Sequence, residues 1–502
     1  MKPENFSSSI RSLILPEPEG EMKYRCLGCI NKYDSSELLY TCPACGSVLL
    51  LEETSGKPVT KADSNMWRDL LDYRRMLNIP AIKGIFRFHE FIAPIIPLEH
   101  IVYLGEGHTP LVEANDYMKA YTGMNFYFKN DGLNPSASFK DRGMACAMSY
   151  INYLVKSKNI SSILAVCAST GDTSASAALY ASYLDDSVKS AVLLPKGKVT
   201  PQQLAQPLGS GAQVFEIPGV FDDCMKVVER LSEVYNVALL NSKNPWRILG
   251  QESFSFEIAQ DLDWDVSNTA VVVPIGNAGN ITAVISGFIK FYEASIINSL
   301  PKIIGVQSEH ADPVFRYYQQ EDGRRVFKPV AVSPSVAQAA MIGNPVSMPR
   351  VIELVDKYNK LSDRTNVFIV QVSEQEIMDT MIVANRNGSI ACTQGAESLA
   401  GLKKALDTGI VSCKETGIVD STAHIIKFSG FQDMYFTNTF DAAFEVRPDP
   451  SLINMPHDVM PEGLTHFPKP GAPLEGDKMA LFIEKTSEEI AKMLGLEKRK
   501  EQ

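Results

Sequence analysis

Residues 163–184 read ILAVCASTGDTSASAALYASYL, and this stretch decides the fold class. The apolar run 163–168 predicts a buried strand, and the glycine at 171 begins a turn into a helix over 173–184. The same unit recurs along the chain. Further strands are predicted at 190–194, 212–217, 237–240, 270–274 and 303–307, and the helices between them at 201–208, 222–235, 247–262 and 281–294. Short apolar strands alternating with amphipathic helices predict an α/β fold, with a mainly parallel sheet covered by helices on both faces.

Composition sets broad limits on function. The chain has 502 residues, of which 45% are hydrophobic and 21% charged, as is typical of globular proteins of two or three domains. The net charge of -11 argues against a nucleic-acid partner. No apolar run is long enough to cross a membrane, and residues 1–20 lack the apolar core of a signal peptide. We therefore expect a cytoplasmic protein without a membrane partner.

Four of the nine cysteines form one cluster near the N-terminus. Cys26 and Cys29 form one CxxC knuckle, and Cys42 and Cys45 form a second, twelve residues later. Two such knuckles can enclose a tetrahedral zinc ion and leave no open position for catalysis. We predict a structural zinc ribbon. The alternatives are a ribbon that folds without metal and a redox-active thiol pair. A ribbon alone can also indicate a nucleic-acid module, but its acidic surroundings argue against that.

A single lysine follows a turn-rich segment. Residues 130–143 read NDGLNPSASFKDRG, and a helix is predicted over 143–155. Ser136 or Ser138 can cap that helix, which places Lys140 near its start. A lysine held in this way can form a Schiff base with an aldehyde cofactor. The alternative is an ordinary surface lysine in a capped turn.

Three loops that follow predicted strands carry polar and glycine residues. Loop 168–174 offers backbone N–H groups and hydroxyls at a helix N-terminus, suited to a carboxylate, although a capped turn would look the same. Loop 274–282 reads PIGNAGNIT, and its small residues before a helix favour a phosphate site. Loop 241–247 reads NSKNPWR and can hold a second phosphate through its arginine, although a solvated arginine is the commoner outcome.

Taken together, Ser-Phe-Lys-Asp at 138–141, the STGDTS loop and the GNAGN turn resemble the fold-type II pyridoxal-phosphate enzymes. Within these, the chain is similar to the threonine synthases of plants and bacteria, from about Trp67 to Ser429. The resemblance implies two three-layer αβα domains with mainly parallel sheets, plus the ribbon. The implied divisions are an N-terminal segment 1–56 with the ribbon, a large cofactor domain 57–144 and 251–445, a small substrate-side domain 145–250, and a C-terminal tail and helix 446–502.

The resemblance also implies roles for individual residues. Lys140 would be the catalytic Schiff-base lysine, with Phe139 against the cofactor. Asp172 would lie near the cofactor's ring hydroxyl, and Ser429 would face the pyridine nitrogen. The residues implied to hold the cofactor phosphate are Gly276, Asn277, Ala278, Gly279 and Asn280. Those implied to bind substrate are Ser169, Thr170, Gly171 and Thr173 at its carboxylate, and Asn241, Ser242 and Arg247 at its phosphate.

The activity implied is conversion of O-phospho-L-homoserine and water to L-threonine and phosphate by β,γ-elimination and hydration, in a homodimer. One segment departs from the family pattern. Where the family carries Cys-Pro-His-Thr-Gly, this chain has Cys392-Thr393-Gln394-Gly395. The alternatives are a threonine dehydratase-like or cysteate synthase-like enzyme, and an inactive binding protein with the same fold.

Overall fold

The computed structural model describes Phe6 and residues 8–160, 162–169, 171–196, 201–219 and 221–499. They belong to two compact units, Met1–Asp449 and Pro450–Gln502. The strands are β1 (Met22–Cys26), β2 (Lys32–Asp34), β3 (Leu49–Glu53), β4 (Leu111–Glu113), β5 (Phe126–Lys129), β6 (Ile163–Ala168), β7 (Val188–Pro195), β8 (Gln213–Ile217), β9 (Val237–Leu239), β10 (Thr269–Pro274), β11 (Lys302–Ser308), β12 (Val367–Val372) and β13 (Thr416–Asp420).

Helices alternate with most of these strands. They are α1 (Ser8–Ile14), α2 (Lys57–Thr60), α3 (Ser64–Arg75), α4 (Pro80–Lys83), α5 (His89–Ile92), α6 (Asp116–Thr122), α7 (Lys140–Lys158), α8 (Asp172–Ser182), α9 (Pro201–Gly209), α10 (Phe221–Val234), α11 (Pro245–Gln251), α12 (Ser253–Asp261), α13 (Gly279–Glu293), α14 (Pro313–Tyr318), α15 (Met348–Leu361), α16 (Glu374–Arg386), α17 (Thr393–Asp407), α18 (Ser429–Thr437) and, in the second unit, α19 (Gly476–Leu494). Among the described residues, no helix is long and apolar enough to span a bilayer.

Two parallel sheets form the centre of the first unit. The larger has the order β12-β11-β10-β13-β5-β4, parallel except for the antiparallel edge strand β4. All six residues of β10 are buried, as expected for a central strand covered on both faces. The smaller sheet, β8-β7-β6-β9, is entirely parallel. The predicted α/β class with mainly parallel sheets is thereby confirmed.

The sheets draw on different parts of the sequence. The strands of the larger sheet come from 57–144 and 251–445, and those of the smaller sheet from 145–250. The division of this region into two domains stays a prediction, because residues 1–449 form one compact unit. In a third, antiparallel sheet, β2-β1-β3, Cys26 ends β1, and the other three clustered cysteines lie in the loops between the strands.

The start of α7 differs from the sequence-based expectation. The helix begins at Lys140, and its N-cap residue, Phe139, makes no side-chain cap. Ser136 donates from both its N–H and its hydroxyl to the Asp141 carboxylate, at 2.6 and 2.7 Å. The Ser138 hydroxyl is buried without a hydrogen-bond partner. The predicted serine cap is therefore wrong, because the helix begins at Lys140 and its N-cap position is held by Phe139, which has no side-chain acceptor.

Two carboxyl groups are buried near this helix. Glu106 is 1% exposed, and it accepts hydrogen bonds from Leu104 N–H at 3.0 Å and Tyr180 OH at 2.9 Å. Burial raises the pKa of Glu106 to about 8. Burial also raises the pKa of Asp141 to about 6, in spite of its hydrogen bonds. The folded protein therefore keeps both groups protonated at pH values where the unfolded chain would release the protons.

We predict that these groups make stability fall as the pH rises. Their pKa values in the folded protein, about 8 and about 6, exceed the ordinary 4.5 of Glu and 3.8 of Asp. Their contribution is thus complete in acid and is lost as the pH passes through about 6 and then about 8. Urea unfolding at a series of pH values checks this. In Glu106→Gln, the free energy of unfolding should fall less as the pH approaches 8. An unchanged pH profile in that variant would contradict the assignment.

Candidate active site

One cavity of about 470 Å³ lies at the carboxyl ends of the parallel strands. Ala168 at the end of β6, Asn241 after β9, Pro274 at the end of β10 and Thr422 after β13 all line it. Ligands of open parallel α/β sheets bind at this edge. The predicted site residues that line the cavity are Phe139, Lys140, Ser169, Gly171, Asp172, Thr173, Asn241, Ser242, Arg247, Gly276, Asn277, Ala278, Gly279 and Asn280.

Lys140 presents an unpaired amine to this cavity. Its side chain is half-buried, and Nζ lies 4.1 Å from the centre of the Phe139 ring. Within the described chain, Nζ has no hydrogen-bond or ion-pair partner. Burial, assisted by the nearby Arg247 cation, lowers the pKa of Lys140 to about 8. A substantial fraction of the amine is therefore neutral near physiological pH, as a nucleophile toward an aldehyde requires.

The loop before Lys140 is fixed by the segment that follows β13. Phe139 N–H donates to the Thr422 carbonyl at 2.8 Å, and Ser138 forms a bridge with Ala423. Gly132 packs on the same segment, where an added Cβ would lie 2.6 Å from the backbone nitrogen of His424. Only glycine fits at this close approach. The contact holds the loop, and with it Lys140, at the carboxyl edge of the larger sheet.

The turn between β10 and α13 offers unused backbone donors. Among described residues, no protein acceptor receives a hydrogen bond from the N–H groups of Gly276, Asn277, Ala278 or Gly279. Ala278 has a φ of 62°, which turns the chain into the 15-residue helix α13. A Cβ on Gly276 would lie 2.9 Å from Ala340 Cα, so the turn needs glycine there. Free N–H groups at a helix N-terminus form an anion site that fits a phosphate.

Arg247 is a buried cation that has no anionic partner among the described residues. It is 2% exposed, and its Nη1 donates to the Leu240 carbonyl at 3.0 Å. Its Nε is buried without a hydrogen-bond partner, and no carboxylate of the described chain lies within ion-pair distance. Burial lowers the pKa of Arg247 only to about 10, so the guanidinium stays charged near neutral pH. A buried charge of this kind is costly unless an anion binds to it.

The other predicted substrate residues differ in what they can offer. The Asn241 side chain donates to the Ala168 carbonyl at 2.6 Å and accepts from Ala168 N–H at 3.1 Å. Its amide therefore joins β9 to β6 and uses one of its two N–H groups for this. The Ser169 hydroxyl accepts from Gly171 N–H at 3.2 Å. Lys427 Nζ lies 3.2 Å from Asp172 Oδ1. Thr170 lies outside the described residues.

Among the described site residues that were predicted, Ser429 does not line the cavity. It is exposed at the start of α18, and its neighbour Phe428 lines the cavity instead. Both residues follow the short turn Ile425–Lys427. Sequence reasoning missed Thr422, which lines the cavity two residues after β13 ends. Hydroxyl residues at the carboxyl end of a buried parallel strand were the signal that could have identified it.

The segment that departs from the family pattern also contributes to the site. Cys392 caps α17 by accepting from Gly395 N–H at 3.4 Å. In the amide orientation that satisfies its neighbours, Gln394 accepts from the N–H groups of Gln338 and Ala339 at 3.2 and 3.0 Å. All three residues line the cavity, so Gln394 braces one of its walls.

The four clustered cysteines come together at one point. Their sulfur atoms all lie within 4.8 Å of one another, with Cys26 and Cys45 3.4 Å apart and Cys29 and Cys42 3.6 Å apart. A zinc ion bound at about 2.3 Å by four thiolates places them about 3.7 Å from each other. The cluster therefore fits zinc, and these four residues would hold it as a structural ion.

We predict that removing two of these ligands destabilises the ribbon. Cys29→Ser with Cys42→Ser should reduce zinc from one ion per chain to none, because the remaining two thiolates cannot complete a tetrahedral site. Metal analysis and limited proteolysis within residues 22–53 check this. Cys413→Ser, at an exposed position outside the cluster, is the control. Full zinc content in the double variant, or no zinc in the unmodified protein, would contradict the assignment.

Comparison with known proteins supports one family. The family model described as pyridoxal-phosphate dependent enzyme matches residues 102–418. The threonine synthase of Methanocaldococcus jannaschii is 35% identical over 407 residues, which cover 81% of this chain and 93% of the relative. Threonine synthase 2, chloroplastic, of Arabidopsis thaliana is 32% identical over 402 residues, which cover 79% of this chain and 75% of the relative.

Solved structures agree on the fold. The threonine synthase of Escherichia coli superposes with a TM-score of 0.62 at 22% identity, covering 84% of this chain and 92% of that chain. The yeast threonine synthase superposes with a TM-score of 0.57 at 18% identity, covering 87% of this chain and 94% of that chain. These likenesses concern the fold, whereas the family match and the sequence relatives concern descent. The chain belongs to the pyridoxal-phosphate-dependent enzymes and, among them, to the threonine synthases.

Proposed function

We propose that the chain converts O-phospho-L-homoserine and water to L-threonine and phosphate, with pyridoxal phosphate as its cofactor. The observation that carries the proposal is Arg247, a buried guanidinium without a carboxylate partner in the described chain. It lines the same cavity as Lys140 and the free N–H groups of the turn at 276–280. One cavity thus offers two anion sites around one reactive amine, as a phosphorylated cofactor and a phosphorylated substrate require.

The residues of the cavity suit the cofactor. Lys140 would hold its aldehyde carbon, with Phe139 against it, and the turn at 276–280 would hold its phosphate. Asp172 would lie near the ring hydroxyl. We assign the hydroxyl that faces the pyridine nitrogen to Thr422 rather than Ser429, because Thr422 lines the cavity. A neutral hydroxyl there would leave that nitrogen largely unprotonated.

When bound, pyridoxal phosphate supplies an electron sink for bonds broken next to the substrate's amino group. The chain's own residues then do the rest. The Lys140 amine, with its lowered pKa, takes the proton from substrate Cα and returns it later. Ser169, Gly171 and Thr173 hold the carboxylate. Arg247 holds the substrate phosphate and offsets the negative charge that grows on it as it leaves.

The overall change balances in atoms. The bond between Cγ and the phosphate oxygen breaks, and a new bond forms between Cβ and the oxygen of water. One hydrogen is lost from Cβ and one is gained by Cγ, which becomes a methyl group. Water supplies the hydroxyl at Cβ and the proton that completes the released phosphate. Since Cα keeps its hydrogen in the product, a single lysine can serve there as both base and acid.

Two related activities remain as alternatives, and Arg247 discriminates between them and the proposal only in part. A threonine dehydratase-like enzyme acts on an unphosphorylated amino acid and needs no second anion site. A cysteate synthase-like enzyme uses phosphoserine, which is shorter by one carbon. An inactive binding protein would need neither the depressed pKa of Lys140 nor its free amine.

The test is a comparison of substrates with the purified holoenzyme. O-phospho-L-homoserine, O-phospho-L-serine and L-threonine are supplied separately, and phosphate, threonine and keto acid are measured. We expect phosphate and threonine in equal amounts from the first compound and a much lower kcat/KM for the others. Release of keto acid from threonine would favour the dehydratase. Preference for O-phospho-L-serine would favour the shorter substrate. No turnover with bound cofactor would favour the binding protein.

We also propose a homodimer, a cytoplasmic location and the two-domain division of residues 57–445. These proposals are supported by the family resemblance. Light scattering during size-exclusion chromatography tests the first: a mass near twice 55.3 kDa is expected, and a mass of one chain would contradict it.

A further inference from the structure

Arg350 is a fully buried arginine outside the cavity. It is 0% exposed and lies in the first turn of α15. A cation in the first turn opposes the helix dipole, and burial adds a desolvation cost. No carboxylate of the described chain forms an ion pair with it. Both unfavourable terms must therefore be offset by its hydrogen bonds.

Those hydrogen bonds join three separate segments. Nε and Nη2 donate to the Leu49 carbonyl at 2.9 and 2.6 Å. Nη1 and Nη2 donate to the carbonyls of Ser242 and Lys243 at 3.2 and 2.9 Å. Nη1 also donates to the Ser347 hydroxyl at 3.0 Å. All five N–H groups of the guanidinium are thus used, which only arginine can do.

The first segment belongs to the ribbon. Leu49 begins β3 and pairs with Cys26 on β1. The residue before it, Val48, accepts from Leu27 N–H at 3.2 Å in one knuckle and bridges to Thr41 beside the other. The position of the Leu49 carbonyl therefore depends on how the four clustered cysteines are arranged.

Of the other two segments, one lines the cavity and the other contacts a turn that lines it. Ser242 lines it, and the loop it shares with Lys243 leads into α11, which carries Arg247. Ser347 N–H donates at 3.1 Å to the carbonyl of Asn277, in the turn proposed to hold the cofactor phosphate. The guanidinium of Arg350 is thus the common donor to the ribbon, the substrate loop and the residue that braces the phosphate turn.

A second contact fixes the ribbon against the same helix. Trp246, directly before Arg247, donates from Nε1 to the Tyr24 hydroxyl of β1 at 3.0 Å. The Trp246 ring also stacks on Tyr150 of α7, with ring centres 3.5 Å apart. Tyr150 OH donates to the Ser35 carbonyl, which lies between the two knuckles. The ribbon therefore also contacts the start of α11 through residues other than Arg350.

We propose that Arg350 is a positioning residue that transmits the metal-bound shape of the ribbon to the substrate-phosphate site. The four-cysteine cluster, with its metal bound, fixes the position of Leu49, and the Leu49 carbonyl orients the guanidinium. The guanidinium in turn holds the loop at 242–243 and Ser347. This inference rests on the proposed function for the assignment of Ser242 and Arg247 to a phosphate. It predicts that an intact ribbon is needed for tight anion binding in the cavity, although no ribbon residue lines that cavity.

The first experiment measures binding of inorganic phosphate to the holoenzyme by calorimetry, in Arg350→Met and Arg350→Lys. A misplacement of about 1 Å in an active site costs about a hundredfold in catalytic rate. We expect Arg350→Met to displace the anion site similarly and to weaken phosphate binding by about tenfold to a hundredfold. Arg350→Lys should recover part of this, because an ammonium can reach some of the carbonyls. Arg74→Met removes another fully buried arginine, paired with Glu90, and should leave phosphate binding unchanged.

The second experiment tests the coupling itself. Cys29→Ser with Cys42→Ser is introduced into the unmodified chain and into Arg350→Met. If the ribbon acts through Arg350, ribbon loss weakens phosphate binding by a smaller factor in the second background than in the first, where the contact between Trp246 and Tyr24 is the remaining route. Additive losses in the two backgrounds would overturn the proposal, as would phosphate binding that the ribbon variant leaves unchanged.

Two controls keep the outcomes separate. The cofactor absorption spectrum and circular dichroism show whether each variant folds. If Arg350→Met does not fold, Arg350→Lys takes its place in both experiments. Turnover of O-phospho-L-homoserine is measured in parallel. A failed turnover with normal coupling of phosphate binding would reject the proposed reaction and retain the role of Arg350.

Discussion

Replacing Lys140 with alanine will abolish turnover, with an expected loss of at least about 10³-fold in kcat. The variant loses both the amine that would hold the cofactor and the group that would move the Cα proton. No other unpaired amine of the described chain lines the cavity, so no neighbour can take over. The measurement is phosphate and threonine formation at saturating cofactor, together with the visible absorption of bound cofactor.

The matched control for this loss is Lys156→Ala. Lys156 is an exposed lysine on the same helix, ion-paired with Asp185. We expect it to keep full turnover and the cofactor absorption band. Lys140→Arg keeps the charge but cannot form the same bond to an aldehyde, and it should be as inactive as the alanine variant. Substantial turnover in either Lys140 variant would contradict the assignment.

Arg247→Met will separate activity from stability. Loss of a hydrogen-bonded charge partner in a desolvated site costs about 2–5 kcal/mol, so kcat/KM for O-phospho-L-homoserine should fall by roughly 10²-fold or more. Stability should not fall, because methionine replaces a buried cation for which the described part of the chain offers no anionic partner. The measurements are steady-state kinetics and the melting temperature without substrate.

Lys243→Met is the control for charge. Lys243 lies in the same loop and changes the net charge by the same amount, but its ammonium pairs with Glu229. It should leave kcat/KM nearly unchanged. An equal loss in both variants would mean that general electrostatics, and not a specific anion site, explains the effect. A large drop in melting temperature for Arg247→Met would show that the arginine is structural.

Local patterns were sufficient to predict most of the architecture. Apolar runs such as 163–168 and 270–274 predict strands because a central parallel strand is buried on both faces. The loops after these strands contain most of the cavity residues, since carboxyl ends of parallel strands share one edge of a sheet. Lys140 and the turn at 276–280 could be predicted for this reason, from their order along the chain.

Local patterns do not reveal contacts between segments that are distant in sequence. Asn241 is predicted at the substrate phosphate and lines the cavity, but one of its two amide N–H groups bonds to Ala168, a neighbour created only when β9 pairs with β6. Whether Ser429 or Thr422 faces the cavity depends on how the chain turns between them, which the sequence does not show. Arg350 contacts Leu49, 301 residues away in the sequence, and no local pattern marks that pairing. Sequence patterns therefore indicate where a site lies better than which donors remain free in it.

The most direct test of the proposed reaction is turnover of O-phospho-L-homoserine in water enriched in oxygen-18. Elimination breaks the bond between Cγ and oxygen, and water then adds at Cβ. We therefore expect one heavy oxygen in the threonine hydroxyl and none in the phosphate, measured by mass spectrometry of both products. Heavy oxygen in the phosphate, with homoserine as the other product, would mean simple ester hydrolysis and would contradict the proposed chemistry at Lys140 and Arg247.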